Sequence, residues 1–425
     1  MKIMFLSHYY PPEVNAPASR TSEHCRAWAK RGHDVTVVTC QPNHPGGKVY
    51  PGFKNRLFQT SMIDGVHVIR LWTFMAANEG FLLRTLNYVS YLLAVTFAMR
   101  RLPKPDVVVS TSPQFFCGLA GLSVRIFKRV PWVLEVRDLW PESIVTVGAM
   151  KKGWTIRALE AVERFAYRRA DFIVPVTDSF VNHITQRGGD TARMSIIKNG
   201  VDLALFKQDE TGAARIRSEL NLDGKFIAAY VGTHGMAHGL ATILDAADRL
   251  RNDSRIVFLL VGDGAERAGL EQQRRDRQLD NVMIVGQRPK SDMPAIWTAT
   301  GASLILLRRN DLFRKVLPSK MFEAMAMRRP IILGVEGESC ALLHSAGAGI
   351  SIPPEDATAL ADAVLALASD PALAARFGAA GDTFVRANFD RAELADRYLN
   401  LLETAAANGL QHAHAPAAAP QQFTR

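Results

Sequence analysis

Two consecutive series of short apolar strands, each separated by helix-length segments, predict an α/β chain of two Rossmann-like domains. Three observations carry this expectation. Residues 3–6, 35–39, 66–71, 107–110, 132–136 and 172–175 are short apolar runs, as in strands of a mostly parallel sheet covered on both faces. A second series follows at 226–231, 256–261, 282–285, 302–307 and 331–333, joined to the first by a polar segment over 198–224. A chain of 425 residues also exceeds one ordinary core, so two domains of about 200 residues each are expected. Ligands of such sheets bind beyond the carboxyl ends of the strands, which points to a cleft between the two domains.

In chain order, the loop HYYPPEVNAP at 8–17 leads from the first strand into a helix expected over 19–30. Its amides would face the cleft, and Glu13, Asn15 and Arg20 are candidate ligand contacts there. Residues 86–99, LNYVSYLLAVTFAM, are apolar nearly all round and are followed by Arg100, Arg101 and Lys104. An apolar run of about 14 residues is short of the ~20 that a membrane span needs. The segment is either a core helix or, over 81–101, a helix lying in a membrane interface. Arg137 and Asp138 directly follow the strand at 132–136 and so point off its carboxyl end, while Glu142 opens the next helix. They form either a site or a structural pair with a dipole-favouring Glu.

In the second half, Gly232, Thr233, His234 and Gly235 follow the first strand. Glycines there let a backbone approach a diphosphate, and His234 or His238 adds a donor. Gln287, Arg288, Pro289 and Lys290 follow the strand at 282–285 as a basic loop, either part of a site or simply solvated. The run VLPSKMFEAMAMRRPIILG at 316–334 is the most informative. Pro318 and Ser319 precede a helix, with Ser319 placed as N-cap. The first-turn amides and Lys320 form an anion pocket, and Glu323 lies one turn on, where it can accept bonds from a vicinal diol.

The net charge of +10 is uneven. Residues 1–200 hold 26 basic against 14 acidic residues, and the remainder holds 25 against 27. A basic first half suits an anionic membrane face or a diphosphate-bearing substrate. Nucleic acid is not expected, because the basic residues are scattered and no nucleic-acid motif accompanies them. Cys25, Cys40, Cys117 and Cys340 have neither metal-ligand nor disulfide-framework spacing, and residues 1–10 lack a signal-peptide layout. A cytoplasmic protein, peripheral at the inner face of the cell membrane, is expected.

Together PSKMFEAMA, VLEVRDLWPES, IIKNGVD, YVGTHGMAHGL and KIMFLSHYYPPEVNAPASR resemble glycosyltransferase family 4, enzymes of the GT-B fold. The likeness runs along nearly the whole chain. One branch it resembles contains N-acetylfucosaminyltransferase-like enzymes of O-antigen, capsule and exopolysaccharide synthesis. The resemblance implies an acceptor-binding domain over 1–200, a nucleotide-sugar domain over 201–385 and a helix at 386–405 that crosses back to the first domain. The Ala/Pro/His/Gln-rich tail, 406–425, has little to bury and is expected to be disordered.

The implied activity is retaining transfer from a nucleotide-diphosphate sugar, a UDP-sugar above all, to a polyprenyl-diphosphate-linked or glycan acceptor. No metal or other cofactor is expected. Gly232, Thr233, His234, Gly235, His238, Gln287, Arg288, Pro318, Ser319, Lys320 and Glu323 would hold the donor. Glu13, Asn15, Arg20, Arg137 and Glu142 would meet the acceptor, and Asp138 and Glu323 are the catalytic candidates. Two departures stand out. Where the family carries an Arg and a Lys to neutralise the diphosphate, this chain has Thr233 and His238, so Lys320, Arg314 or Arg288 would have to supply the cation. Where the family carries a first Glu facing the donor sugar, it has Lys315. These losses leave room for a GT-B epimerase or a catalytically silent sugar-nucleotide binder.

Overall fold

The computed structural model describes residues 1–409 apart from 14, 45, 77–80, 113–114 and 147–152. Of the tail expected to be disordered, 406–408 instead finish the helix Arg391–Asn408, and 410–425 lie outside the described residues. The chain divides into two compact units, Met1–Lys198 with Ala392–Arg425, and Asn199–Arg391.

The first unit is built on a seven-stranded sheet of β1 (Lys2–Leu6), β2 (Asp34–Cys40), β3 (Phe58–Ile63), β4 (Val66–Leu71), β5 (Val107–Thr111), β6 (Trp132–Val136) and β7 (Phe172–Pro175), in the order β3-β4-β2-β1-β5-β6-β7. Ile3 pairs with Val35 on one side and Val107 on the other, and every pairing is parallel except β3 with β4. The order reverses between β1 and β5, which sets the carboxyl ends of those strands at the switch point where α/β sheets hold ligands.

Sequence reading omits β3. Its FQTSMI is largely exposed, as an edge strand allows, so no apolar run marks it. The turn after it does: Asp64 and Gly65, both at positive φ (51° and 80°), form a two-residue hairpin loop into β4.

Helix α1 (Ala16–Lys30) starts earlier than expected because the Asn15 side chain caps it, accepting from the Ala18 amide at 2.9 Å. Its Trp28 is fully buried and donates from Nε1 to the Ala395 carbonyl at 2.9 Å. Tyr398 meets Trp28 edge-on at 5.4 Å, and Arg31 pairs with Asp396. The helix Arg391–Asn408 thereby belongs to the first unit. The expected crossing helix begins at 391 rather than 386, since residues 386–388 finish the preceding helix, Pro371–Asn388.

The second unit has six parallel strands, β8 (Phe226–Val231), β9 (Ile256–Val261), β10 (Val282–Val285), β11 (Ala302–Leu306), β12 (Ile331–Gly334) and β13 (Gly349–Ser351), in the order β10-β9-β8-β11-β12-β13. Three-residue β13 is too short to show as a run. The polar segment at 198–224 is not linker throughout, for it contains the helix Glu210–Glu219, capped by Asp209 Oδ1 on the Gly212 amide at 2.8 Å. Here the order reverses between β8 and β11. Among the described residues no single helix is long and apolar enough to cross a membrane.

Trp28→Ala is expected to lower stability by about 3–5 kcal/mol, the usual cost of emptying a fully buried Trp site. Urea denaturation checks the size, and limited proteolysis should show earlier cleavage around Arg391.

Candidate functional site

In the second unit, the turn after β8 and the turn after β9 are packed back to back. His234 N–H donates to the Asp263 carbonyl at 2.8 Å, and the Glu266 amide donates to the His234 carbonyl at 2.9 Å. The approach is close enough to forbid side chains. A Cβ on Gly262 would lie 1.9 Å from the Gly232 oxygen, and one on Gly264 would lie 2.5 Å from the His234 oxygen. The glycines of VGDG are therefore what lets the GTHG turn seat.

Lys320 reaches over this platform. Its Nζ stands 3.9 Å from the centre of the Tyr230 ring, a cation–π contact, and a Cβ on Gly232 would come 2.7 Å from it. Tyr230 is fully buried and donates its hydroxyl to the Thr233 carbonyl at 2.8 Å. One residue thus ties the turn and carries the cation, although the sequence gives no cue beyond an aromatic just before the glycines. Burial pushes the Lys320 ammonium down to about 7 against the pull of Glu323.

Burial also lowers His234 to about 4, helped by Arg267, and His238 to about 3, helped by Lys320. Both rings are neutral near pH 7, so each can donate one N–H but no charge. Both His234 ring nitrogens lack a hydrogen-bond partner, while the His238 ring faces the Leu306 carbonyl at 3.4 Å. Thr233 is exposed, and Gly235 has room for a methyl group, its nearest neighbour being 3.6 Å away.

The helix Lys320–Ala326 follows Pro318 and Ser319 as expected, but Ser319 occupies the cap position without a side-chain cap bond. The Met321 and Phe322 amides donate back to Pro318 and Ser319 at 3.0 and 3.2 Å. The expected amide-rich first turn is thus corrected: two of its amides are already used, and the positive group there is Lys320, lying on the Tyr230 ring. Glu323 sits one turn on, half-buried, with Trp297 Nε1 donating to its Oε2 at 3.4 Å. Trp297, fully buried, was not singled out from the sequence.

The other expected cations are engaged. Arg288 pairs with Glu219 at 2.6 Å, and Arg314 lies between Asp311 and Glu336 at 3.7 and 3.8 Å. Gln287, the chain neighbour of Arg288, is exposed.

In the first unit, several expected contacts turn out to have internal partners. Arg20 is a core residue, not a reaching one. It is 1% exposed, pairs with fully buried Glu135 at 3.0 Å and donates to the Lys198 and Ile197 carbonyls at 2.9 and 2.8 Å. Glu13 is a staple. Its Oε1 accepts from the Asn43 and His44 amides, both at 2.9 Å, and Oε2 from Tyr10 at 3.4 Å, while burial raises its pKa against those bonds. Asn15 caps α1, and Glu142 meets His183 Nδ1 at 3.2 Å. Burial opposes charge on that ring, but bonds to Glu142 and Glu163 outweigh it and raise its pKa. For Arg20 and Glu13 the internal role corrects the expected ligand role, because buried charges must be paired to exist, whereas Glu142 stays part-exposed beside His183.

Arg137 and Asp138 do leave the end of β6 as expected, their amides donating to Ser112 Oγ at 2.8 and 3.3 Å. Asp138 lines a mostly apolar cavity with Phe115, Trp140 and Tyr167. Burial raises its pKa, opposed by bonds from Ser143 and the Leu139 amide. Among the described residues no cluster of three His, Cys, Asp or Glu is set to hold a metal ion.

Residues 15–200 match a glycosyl transferase 4-like domain, and residues 213–384 match glycosyl transferases group 1. The candidate colanic acid biosynthesis glycosyl transferase WcaI of Escherichia coli (strain K12) is 25% identical over 85% of this chain and 90% of its own. Among solved structures, sucrose-phosphate synthase of Thermosynechococcus elongatus superposes with a TM-score of 0.76 at 19% identity, covering 96% of this chain and 99% of that one. Anabaena HepE in complex with UDP and glucose gives 0.72 at 16% identity, covering 95% and 100%.

Gly262→Ala is expected to cost about 1–3 kcal/mol of stability, through the clash and the positive-φ strain together. Gly235→Ala should stay within about 0.5 kcal/mol, as for a surface change that meets nothing. Urea denaturation of the two variants side by side checks the contrast.

Proposed function

From a chain made of a glycosyl transferase 4-like domain and a group 1 domain, and so a glycosyltransferase of the GT-B fold, we propose an enzyme of cell-surface polysaccharide synthesis. It moves a sugar from a UDP-sugar, with retention of configuration, onto a lipid-linked acceptor at the inner face of the cell membrane. The N-acetylfucosaminyltransferase-like branch is our assignment on motif resemblance. The observation that carries the reading is the meeting of Lys320, Tyr230 and the Gly232–Gly235 turn at the β8/β11 switch point, with Glu323 one turn beyond. The polysaccharide role leans on the name of WcaI, and the uridine base on the UDP in HepE.

In this reading Lys320 and the Thr233 and Gly235 amides face the diphosphate, while His234 and His238 donate as neutral rings. Glu323 accepts from the ribose hydroxyls. As the bond from the anomeric carbon to the phosphate oxygen breaks, its electron pair leaves with the diphosphate, where donors already point. The acceptor hydroxyl forms the new bond and its proton goes to the leaving phosphate. Asp138 positions the acceptor. The charge is met by the ammonium and amides, without a metal. Neither epimerisation nor silent binding gains support from any of these contacts.

Glu323→Ala is expected to weaken UDP-sugar binding by about 1–3 kcal/mol, the loss of a hydrogen bond to a charged group. Calorimetric titration checks it, and an unchanged affinity would remove Glu323 from the ribose.

A second expectation concerns pH. Lys320 is charged below about 7 in the free protein, and a bound diphosphate raises its pKa. Affinity is therefore full below about 7 and falls as pH rises above it, by up to about tenfold per pH unit until the bound-state pKa is passed. Titrations between pH 6 and 8.5 check this, with Lys320→Arg flattening the profile. The decisive assay is transfer of labelled sugar from UDP-sugars to a membrane lipid fraction.

A further inference from the structure

Helix α2 (Phe81–Ala98), whose segment reads as either a core helix or a membrane-interface helix, has one buried and one exposed face. Tyr88, Tyr91, Val95 and the following Met99 are buried, with the Tyr91 hydroxyl donating to the Val38 carbonyl at 2.7 Å. Leu83, Leu86, Leu93 and Phe97 recur at helical spacing on one other stripe and stay exposed, by 49%, 47%, 48% and 83%.

The neighbouring helix α3 (Phe115–Lys128) extends that surface. Thr96 Oγ1 donates to Ser123 Oγ at 3.2 Å, and Lys128 Nζ to the Leu102 carbonyl at 2.8 Å, so the two carboxyl-terminal ends lie side by side. At that end Ile126 and Phe127 are 60% and 62% exposed. Arg100, Arg101, Lys104 and Arg129 stand exposed around them, and neither helix contains an acidic residue.

We propose that this α2–α3 face seats on an anionic lipid bilayer, Phe97, Ile126 and Phe127 entering the headgroup boundary and Arg100, Arg101 and Arg129 meeting the lipid phosphates. The inference deepens the lipid-linked acceptor reading above, on which it rests. The occupant follows from charge. A two-fold contact between copies would set the same arginines against each other with no acid to pair them. A surface of negative headgroups over hydrocarbon satisfies both the charge and the apolar stripe.

The test is co-sedimentation of the full chain with vesicles of phosphatidylcholine alone or mixed with phosphatidylglycerol. Binding is expected only to the mixed vesicles and is expected to weaken with salt. Removing Arg100, Arg101 and Arg129 together (each to Ala) should reduce partitioning roughly a hundredfold, at about fivefold per charge. Phe97→Ser with Phe127→Ser should reduce it independently. The proposal is overturned if the native chain ignores the mixed vesicles, or if both variants bind them as the native chain does. It is also overturned if light scattering shows a dimer that only the Phe variants dissolve, which makes the face an interface between copies. UDP-sugar binding, read on the same samples, separates the two levels. Its retention in the variants shows a folded donor site, whereas its absence from the native chain defeats the transferase reading and leaves the vesicle result standing.

Discussion

Room for one ammonium is the constraint around which the second unit's site is arranged. Lys320 can lie on the Tyr230 ring because position 232 has no side chain. Position 232 can sit so low because Gly262 lets its carbonyl through. The Tyr230 hydroxyl then fixes the turn from beneath at Thr233. Five residues on three segments thus define a small volume, and a group that enters it meets a cation already held in place. Such preorganisation is how a site stabilises charge as it develops, since no reorientation is left to be done at the moment of reaction.

The first unit solves a different problem with the same chemistry. Its charges at the strand ends are mostly consumed internally: Arg20 by Glu135 and two carbonyls, Glu13 by three amides. Each such charge would be costly if left alone in a buried setting, and each ties a loop to a neighbouring strand or helix. Arg137 and Asp138 leave the end of β6, Arg137 donating to the Pro17 carbonyl at 3.4 Å and Asp138 set against an apolar cavity, where burial raises its pKa. A carboxyl in that setting suits holding a hydroxyl in place better than neutralising a cation.

How much of this was legible follows from what leaves a trace in sequence. Strands covered on both faces announce themselves as apolar runs, so eleven of them could be placed without a structure. Edge strand β3 could not, because exposure lets it be polar, although the Asp64-Gly65 turn carried a readable signal. In the site, residue types fixed by chemistry were visible: Lys320, Glu323 and the GTHG turn. Partners were not. That Arg288 and Arg314 are already paired, or that Arg20 is swallowed by Glu135, depends on contacts between residues far apart in the chain. The glycines of VGDG, at 262 and 264, carry little signal alone, because their meaning lies in the turn they face.

The exchange of a family Arg and Lys for Thr233 and His238 has a physical reading in this packing. A second permanent cation beside Lys320 would depress an ammonium already brought down to about 7 by burial. Neutral histidines impose no such repulsion, and the lowered pKa values of His234 and His238 reflect in part the Lys320 charge they face. The pocket therefore holds one positive charge that it can lose, rather than several that it must keep. An arriving anion restores that charge, while the histidines stay neutral donors. Near neutral pH a bound anion thus completes a positive charge that is only partly present without it.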